Sequence, residues 1–276
     1  MDATLEAMAG IERLGRHCHR ECYGETRMTM NANQDRVGTV YLVGAGPGDP
    51  ELITVRGLRL LQQADVIIYD RLVPPQLLPQ TLPQAELIYA GKSPGHHVLR
   101  QAQINALLID RARKGNQVVR LKGGDPSVFG RAGEEMAALR QAEIPYVIVP
   151  GVTAAVAGAA GAGVPLTQRG VSSLVVLATG TEAEDGEAPG SGTKWKALGD
   201  IGGTLVFYMA VKQLANITNA LIRAGRRPEE PALVIQEAHT AREKIVVGTL
   251  ADIAAKSSAA AIQPPALLIC GEVVLS

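Results

Sequence analysis

Short apolar runs that end in loops rich in glycine and proline recur along the first half of the chain, and they constrain its fold most strongly. Three of these loops lie at 44–50, 122–126 and 150–154. Amphipathic segments at 101–114 and 131–143 alternate with the apolar runs and have the spacing of helices. Strands that alternate with helices indicate parallel βαβ units. The sequence therefore predicts an α/β fold, with a mostly parallel, doubly wound sheet in an N-terminal domain at 37–167.

The second half of the chain has a different pattern. Apolar runs at 231–235 and 243–247 are separated by only a few residues, which is typical of strands that pair antiparallel. Further strands are predicted at 174–178 and 204–209 because β-branched and aromatic residues are frequent there. We expect residues 168–276 to form a second α/β domain with a mixed sheet.

Residues 1–36 show no strong hydrophobic period, so we expect them to be a flexible N-terminal extension. They contain His17, Cys18, His19 and Cys22, whose side chains are of the types that zinc favours. No second pair of ligands follows, however, and the spacing fits no standard zinc finger. The sequence therefore predicts no metal site.

Charge and composition narrow the classes of function. Lys and Arg together number 27, as do Asp and Glu, so the formal net charge is zero, and aromatic residues make up only 3%. Because nucleic-acid-binding proteins usually carry surplus positive charge or aromatic stacking surfaces, no nucleic-acid partner is predicted. Three cysteines are too few for a disulfide framework, and neither a secretory signal nor an apolar run of about 18 residues is present. We expect a cytoplasmic protein with no membrane partner.

Two of the glycine loops are candidate ligand-binding loops. Gly44, Gly46 and Gly48 are similar to the dinucleotide fingerprint, but the third glycine comes one residue early, and Pro47 has no N–H to offer a pyrophosphate. The loop at 122–126 is more informative, because two glycines at a strand end let a ligand approach the backbone. Its aspartate would either cap the next helix or accept hydrogen bonds from a ligand.

Five motifs in order along the chain point to one family. They lie at 40–50, 120–126, 129–135, 150–154 and 164–167. From about Val37 to the C-terminus, the chain resembles the tetrapyrrole methylase family. The resemblance implies two α/β domains with a cofactor cleft between them, usually as a homodimer. It also implies that S-adenosylmethionine methylates uroporphyrinogen III at two ring carbons, giving precorrin-2 for siroheme, cobalamin or heme d1 and releasing S-adenosylhomocysteine.

The resemblance assigns nine residues to S-adenosylmethionine by their positions in the motifs. They are Pro47, Gly123, Gly124, Asp125, Val128, Thr153, Ala154, Met209 and Ala238. Val128 and Met209 offer apolar surface to the adenine or the thioether, although core packing is the alternative for both. Ala238 stands where the family usually has glycine, so contact there is expected through the backbone.

Catalytic and substrate residues also follow from the resemblance. A carboxylate-rich substrate on a neutral protein needs local cations, and Arg131 and Arg169 match family positions near the substrate. Glu134 lies one helical turn after Arg131 and is able to orient it. Asp70 and Lys92 match acid–base positions. We expect Arg131 to clamp a carboxylate, and Asp70 to take or relay the proton released after carbon attack; a turn residue is the alternative for Asp70.

Three other functions stay open from the sequence. A sibling enzyme of the same fold would methylate a later corrin precursor or another acceptor. An NAD-dependent oxidoreductase would use the glycines of the first loop. A non-catalytic sensor would bind an adenosyl ligand without turnover.

Overall fold

The computed structural model describes residues 37–91, 99–180 and 194–276. Its strands form two five-stranded sheets. The strands of the first sheet are β1 (Val40–Gly44), β2 (Val66–Tyr69), β3 (Glu86–Tyr89), β4 (Val118–Lys122) and β5 (Tyr146–Val149). Those of the second are β6 (Val175–Thr179), β7 (Thr204–Tyr208), β8 (Pro231–Gln236), β9 (Lys244–Thr249) and β10 (Ala266–Cys270). The extension at 1–36, with its cluster of His and Cys, lies outside the described residues.

All neighbouring strands of the first sheet run parallel, in the order β3-β2-β4-β1-β5. The chain leaves β1 towards β2 on one side, and leaves β4 towards β5 on the other. This reversal places a topological switch point between β1 and β4, where α/β sheets open a crevice at the carboxyl ends of their strands. The predicted parallel sheet is confirmed, and the switch point marks the edge at which sheets of this kind bind ligands.

The helices of the first half are α1 (Val55–Leu61), α2 (Gln101–Arg113), α3 (Ala132–Gln141) and α4 (Ala154–Gly161). Oγ1 of Thr54 accepts a hydrogen bond from the amide of Gly57 and so caps α1. Asp49 caps a short 3₁₀ turn at Pro50–Leu52, which precedes α1. The backbone extends again at Ile53, which separates this turn from α1.

The second sheet is mixed, in the order β6-β7-β10-β8-β9, as predicted. Strands β6 and β7 are parallel, whereas the other pairs are antiparallel. The predicted antiparallel pair is β8 with β9, in which Val234 lies opposite Val246. Its helices are α5 (Trp195–Asp200), α6 (Leu214–Arg223) and α7 (Ile253–Ala259).

Helix α4 follows the last strand of the first sheet but packs on the second. Ala155 and Ala159 are buried in a cluster with Val206 and Ile235 of the second sheet. A Cβ at Gly158 would lie 3.2 Å from the side chain of Ile235, so small residues let this helix approach the sheet closely. The helix thereby brings its N-terminus to the carboxyl end of β7. A domain boundary between residues 167 and 168 stays a prediction.

Candidate functional site

The loops after β1 and β4 are joined through their backbones. The amide of Gly46 donates to the carbonyl of Gly124 over 3.2 Å, and the amide of Gly124 donates to the carbonyl of Gly46 over 3.0 Å. Two amides of the glycine loops are therefore occupied within the protein. A dinucleotide site needs such amides to face a pyrophosphate, so this pairing disfavours the oxidoreductase alternative.

Three strand ends meet at close range beside this pair. A Cβ on Gly151 would lie 2.3 Å from the carbonyl oxygen of Gly124, and one on Gly44 would lie 2.6 Å from that same atom. Gly124 itself has a φ of +70°, yet a Cβ there would meet nothing closer than 3.8 Å, at the amide nitrogen of Ala154. A side chain at Gly124 would therefore make ordinary van der Waals contact with the start of α4, whereas Gly44 and Gly151 allow the backbones to touch.

Gly123 has a different surrounding. A Cβ at this position would lie 2.6 Å from Cβ of Leu72, in the loop after β2. The absence of a side chain at Gly123 thus lets the loops after β2 and β4 pack together.

The carboxylate of Asp125 joins the loops that follow β4 and β5. Its Oδ2 accepts from the amide of Gly151 over 2.9 Å, and its Oδ1 accepts from the amide of Ser127 over 2.8 Å and from the Ser127 hydroxyl. Asp125 therefore does not cap the next helix, since α3 begins only at Ala132. It caps a local turn and holds two strand-end loops in register.

Most of the expected cofactor residues lie around the N-terminus of α4. Val128, Ala154 and Ala238 pack against one apolar cluster, which includes Tyr208. The hydroxyl of Tyr208 lies 2.6 Å from Oγ1 of Thr153, the residue that precedes α4. Gly48 follows Pro47 and approaches Ala238 so closely that a Cβ on Gly48 would lie 2.2 Å from the carbonyl oxygen of Ala238. The fold thus brings these residues together from four separate loops.

Three residues at this edge have left-handed backbones although none is glycine. They are Phe129, Arg131 and Met209, with φ of 48°, 56° and 54°. Met209 and Phe129 are also 50% and 42% exposed, and the Phe129 ring lies 4.9 Å from that of Tyr208 between centroids. Strained backbone and exposed apolar side chains both concentrate at binding sites.

Arg131 and Glu134 form the pair that the sequence predicts. Nε and Nη2 of Arg131 donate to the two carboxylate oxygens of Glu134 over 2.7 and 2.8 Å. The hydrogen bonds from Arg131 lower the pKa of Glu134, and the nearby guanidinium charge adds to the effect. The side chains are 60% and 52% exposed, so this charged fork faces solvent at the start of α3.

The other expected catalytic residues are less closely grouped. Asp70 directly follows β2, and its Oδ1 accepts from the amide of Leu72 over 3.0 Å, which is the turn role held as its alternative. Arg169 is exposed, and among the described residues no hydrogen bond or ion pair joins it to Asp70 or Arg131. Lys92 lies outside the described residues.

A buried group of charges beneath Asp70 was not singled out from the sequence. Arg120 and Lys122 of β4 both contact Glu135 of α3, and all three side chains are nearly inaccessible to solvent. Burial lowers the pKa of Lys122, and the charge of Arg120 adds to the effect while Glu135 opposes it. A signal was present, because two cations in the central strand of a parallel sheet depart from its usual apolar composition.

The described residues were also compared with the requirements of a metal site and of a membrane-spanning helix. No group of three or more His, Cys, Asp or Glu side chains in the described parts of the chain is arranged to hold a metal ion. No helix in those parts is both long and apolar enough to span a bilayer.

Comparison with known proteins places this geometry in a family. Residues 39–254 match the family described as Tetrapyrrole (Corrin/Porphyrin) Methylases. A uroporphyrin-III C-methyltransferase from Thermus thermophilus, solved with S-adenosyl homocysteine, is 42% identical with a TM-score of 0.73, covering 86% of this chain and 99% of that one. A cobalt precorrin-4 methyltransferase of cobalamin biosynthesis is 32% identical with a TM-score of 0.77, covering 88% and 98%.

Curated relatives include longer proteins. The siroheme synthase of Pseudomonas putida strain W619 is 48% identical over 247 residues, which are 90% of this chain and 52% of the relative. That of Psychrobacter sp. strain PRwf-1 is 45% identical over 270 residues, 98% of this chain and 54% of the relative. The chain therefore spans about half the length of these relatives. The second match also extends into residues before Val37, where the sequence motifs had shown no resemblance.

Proposed function

The chain belongs to the tetrapyrrole (corrin/porphyrin) methylase family, and from that premise we propose that it is a uroporphyrinogen-III C-methyltransferase. It transfers methyl groups from S-adenosylmethionine to two ring carbons of uroporphyrinogen III, giving precorrin-2 and two molecules of S-adenosylhomocysteine. The observation that carries this proposal is the 42% identity, over nearly the whole of its length, with the Thermus enzyme that was solved with S-adenosyl homocysteine.

The cofactor is proposed to lie in front of α4, beside Gly124. Thr153 and Ala154 supply the helix N-terminus, and Met209 supplies exposed apolar surface for the adenine or thioether. The other assigned residues are Pro47, Gly123, Asp125, Val128 and Ala238. In support, the site combines a helix N-terminus with exposed apolar side chains, which together suit an adenosyl ligand.

Methyl transfer needs little covalent help from the protein. The sulfonium is already a good leaving group, so an electron-rich pyrrole carbon attacks the methyl carbon as the carbon–sulfur bond breaks. Holding carbon, methyl and sulfur in line is worth several kcal/mol, on the order of the gain from other positioned reactions. Attack leaves the macrocycle positively charged and the methylated carbon without a hydrogen, so the proton leaves from another position of the macrocycle; Asp70 is proposed to take or relay it, with Lys92 as a further acid–base group.

Cations near the cleft are proposed to hold the acidic arms of the macrocycle. Arg131 would bind a carboxylate with its planar fork while Glu134 orients it, and Arg169 would offer a second cation. A guanidinium stays protonated in proteins, so Arg131 is assigned to binding and charge stabilisation and not to proton abstraction.

The experiment that tests this function is mass spectrometry of the product. Anaerobic uroporphyrinogen III and S-adenosylmethionine carrying an isotopically labelled methyl group are incubated with the protein. We expect two labelled methyl groups per macrocycle and none without enzyme. Zero added methyl groups, or methylation only of a precorrin-4-type substrate in a parallel incubation, would replace this proposal with the sibling enzyme. Calorimetry with NADH and with S-adenosylhomocysteine completes the test, because tight binding of NADH alone would favour an oxidoreductase.

The siroheme synthase relatives support siroheme as one destination of the product. We further propose that the chain acts in the cytoplasm as a homodimer. An apolar groove lined by Val156, Ala160, Pro165 and Leu166 offers one surface for a second copy. Light scattering after size-exclusion chromatography measures the mass directly, and a monomer at micromolar concentration would contradict the homodimer.

A further inference from the structure

The three buried charged residues Arg120, Lys122 and Glu135, called here the buried ionic cluster, lie between β4 and α3. Nε of Arg120 donates to Oε1 of Glu135 over 3.1 Å. Nζ of Lys122 lies 3.0 Å from each of the two carboxylate oxygens of Glu135. The side chain of Glu135 has no exposed area, and those of Arg120 and Lys122 are 5% exposed. Two cations and one anion are thus held within the protein interior.

Stability alone does not account for such a cluster. Moving charges out of water is costly, and apolar side chains of similar volume in their place are often as stabilising or more so. The interior around the cluster is otherwise apolar, with Leu108, Val118 and Leu139 buried in the adjoining core. A buried ionic group that adds little stability is expected to have another role. The residues that it contacts at the cleft indicate what that role is.

A further anion beside the cluster is Asp70, at the carboxyl end of β2. Its Oδ2 lies 3.6 Å from Nη2 of Arg120, and its side chain is 28% exposed. Asp70 supplies the second negative charge, so that the four side chains together are neutral. Asp70 is also the member of this group that reaches the cleft.

The guanidinium of Arg120 is held at several points. Its Nε is bound to Glu135, and its Nη1 donates to the carbonyls of Ile68 and Leu121 over 3.2 Å each. These contacts leave Nη2 directed at Asp70. Lys122 and the amide of Gln101, 3.4 Å from Oε1, hold Glu135 on its other sides. A chain of contacts thus runs from the buried carboxylate, through one fixed guanidinium, to the carboxylate at the cleft.

We propose that Glu135 is a positioning residue for methyl transfer: acting through Arg120, it holds the Asp70 carboxylate in the place where the proton released by the methylated macrocycle is accepted. This inference rests on the proposed function, because it deepens the role assigned there to Asp70. Glu135 itself has no exposed area and touches neither substrate nor cofactor.

The test compares two buried glutamates. Glu135→Gln removes the charge that holds Arg120, whereas Glu230→Gln removes the partner of Arg226 in a second buried ion pair, away from the cleft. We expect both variants to lose thermal stability. Only Glu135→Gln is expected to lower kcat, by about tenfold or more, with the KM for S-adenosylmethionine within about twofold of the parent. Equal kcat values in the two variants would overturn the proposal.

A double-mutant cycle shows whether the effect passes through Asp70. In an Asp70→Asn background, adding Glu135→Gln is expected to change kcat by less than about twofold. An undiminished loss in that background would overturn the proposal, as would full kcat in Asp70→Asn alone. If Glu135→Gln does not fold, the pair Glu135→Gln with Lys122→Met keeps the charge balance and replaces it in the cycle.

A crystal structure of the Glu135→Gln protein separates failure of this inference from failure of the proposed function. We expect Asp70 Oδ2 to move away from Arg120 Nη2, beyond the 3.6 Å of the parent. This distance can be measured even if the parent protein methylates no uroporphyrinogen III. Such a lack of activity would contradict the proposed function but not the positioning of Asp70 by Glu135. An unmoved Asp70 would overturn the inference while leaving the methyltransferase assignment in place.

Discussion

The hydroxyl of Tyr208 lies 2.6 Å from Oγ1 of Thr153, and it also accepts a hydrogen bond from the amide of Ala155 over 3.0 Å. Tyr208 ends β7 in the second sheet, whereas Thr153 precedes the helix that follows the last strand of the first sheet. One phenol group therefore joins the strand ends of both sheets, beside the residues proposed to bind the cofactor.

Tyr208→Phe should weaken cofactor binding more than folding. The change keeps the ring but removes the hydroxyl that bonds to Thr153 and to the amide of Ala155. Loss of these hydrogen bonds removes about 1–2 kcal/mol of the free energy that holds the N-terminus of α4 in place. We expect the Kd for S-adenosylhomocysteine to rise by about tenfold, measured by calorimetry. Tyr41→Phe is the matched control, because its hydroxyl bonds to Gln117 at the opposite end of the first sheet. Equal affinities of the two variants would contradict this prediction.

Gly151→Ala should destabilise the whole protein. The new Cβ would lie 2.3 Å from the carbonyl oxygen of Gly124 and 2.8 Å from Cα of Gly44, both of them backbone atoms that cannot rotate away. We expect a loss of about 3 kcal/mol in the free energy of unfolding, measured by urea denaturation. A variant as stable as the parent would contradict the close approach of the three strand ends.

Gly124→Ala should act on binding instead. Its φ of +70° costs an alanine about 1 kcal/mol, but the new methyl group would meet nothing closer than the amide nitrogen of Ala154 at 3.8 Å. Gly202→Ala is the control, since Gly202 has a φ of +64° and would place its methyl group where nothing lies within 4 Å, outside the cleft. We expect similar losses of stability, with the Kd for S-adenosylhomocysteine raised about tenfold only in Gly124→Ala. Unchanged affinity in Gly124→Ala would contradict the proposed cofactor position in front of α4.

Arg131→Gln should weaken substrate binding at little cost in stability. The Arg131–Glu134 pair is more than half exposed, and such pairs contribute about 1 kcal/mol or less. Arg227→Gln breaks a pair with Glu272 of similar exposure elsewhere on the surface. We expect the KM for uroporphyrinogen III to rise about tenfold in Arg131→Gln alone, with both melting temperatures near that of the parent. A rise in both variants would point to a general charge effect.

Low pH should destabilise the fold, because it protonates Glu86 and weakens its ion pair with Arg111. Hydrogen bonds from Arg111 lower the pKa of Glu86 below its usual 4.5, although burial opposes this. The unfolded chain then binds more protons than the folded chain, so this stabilisation is present above pH 4.5 and is lost as the pH falls through the folded pKa. We expect Arg111→Gln to flatten the fall in unfolding free energy towards pH 3.5, measured in urea. Arg113→Gln, on the same helix, should keep the parent slope.

The strands and helices could be predicted from local sequence patterns, and several site residues from motifs. The alternation of strands and helices gave the parallel sheet, and two close apolar runs gave the antiparallel pair of β8 and β9. Motif positions named Val128, Ala154 and Ala238, which the fold does bring into one apolar cluster. The strands needed only short-range spacing, because strand and helix periods are properties of neighbouring residues, whereas the three site residues came from the resemblance to a family.

Contacts between distant residues could not be predicted in the same way. The sequence left open whether Asp125 caps a helix or contacts a ligand, and gave no sign that its carboxylate accepts from Gly151, 26 residues away. Arg120 and Glu135 were visible as charged residues, but their burial against each other depends on α3 packing over β4. Hydrogen-bond partners are set by which loops meet in space, and residue spacing along the chain carries little of that information.

The amino-acid sequence by itself determined the types and order of the strands and helices, and it carried the motifs of the methylase family. Only the tertiary structure decided the switch point between β1 and β4, the pairing of Gly46 with Gly124, and the buried carboxylate beneath Asp70. The physical reason is range: backbone conformation and hydrophobic period act over a few residues, whereas charge pairing and close backbone contact depend on how distant strands are ordered in a sheet.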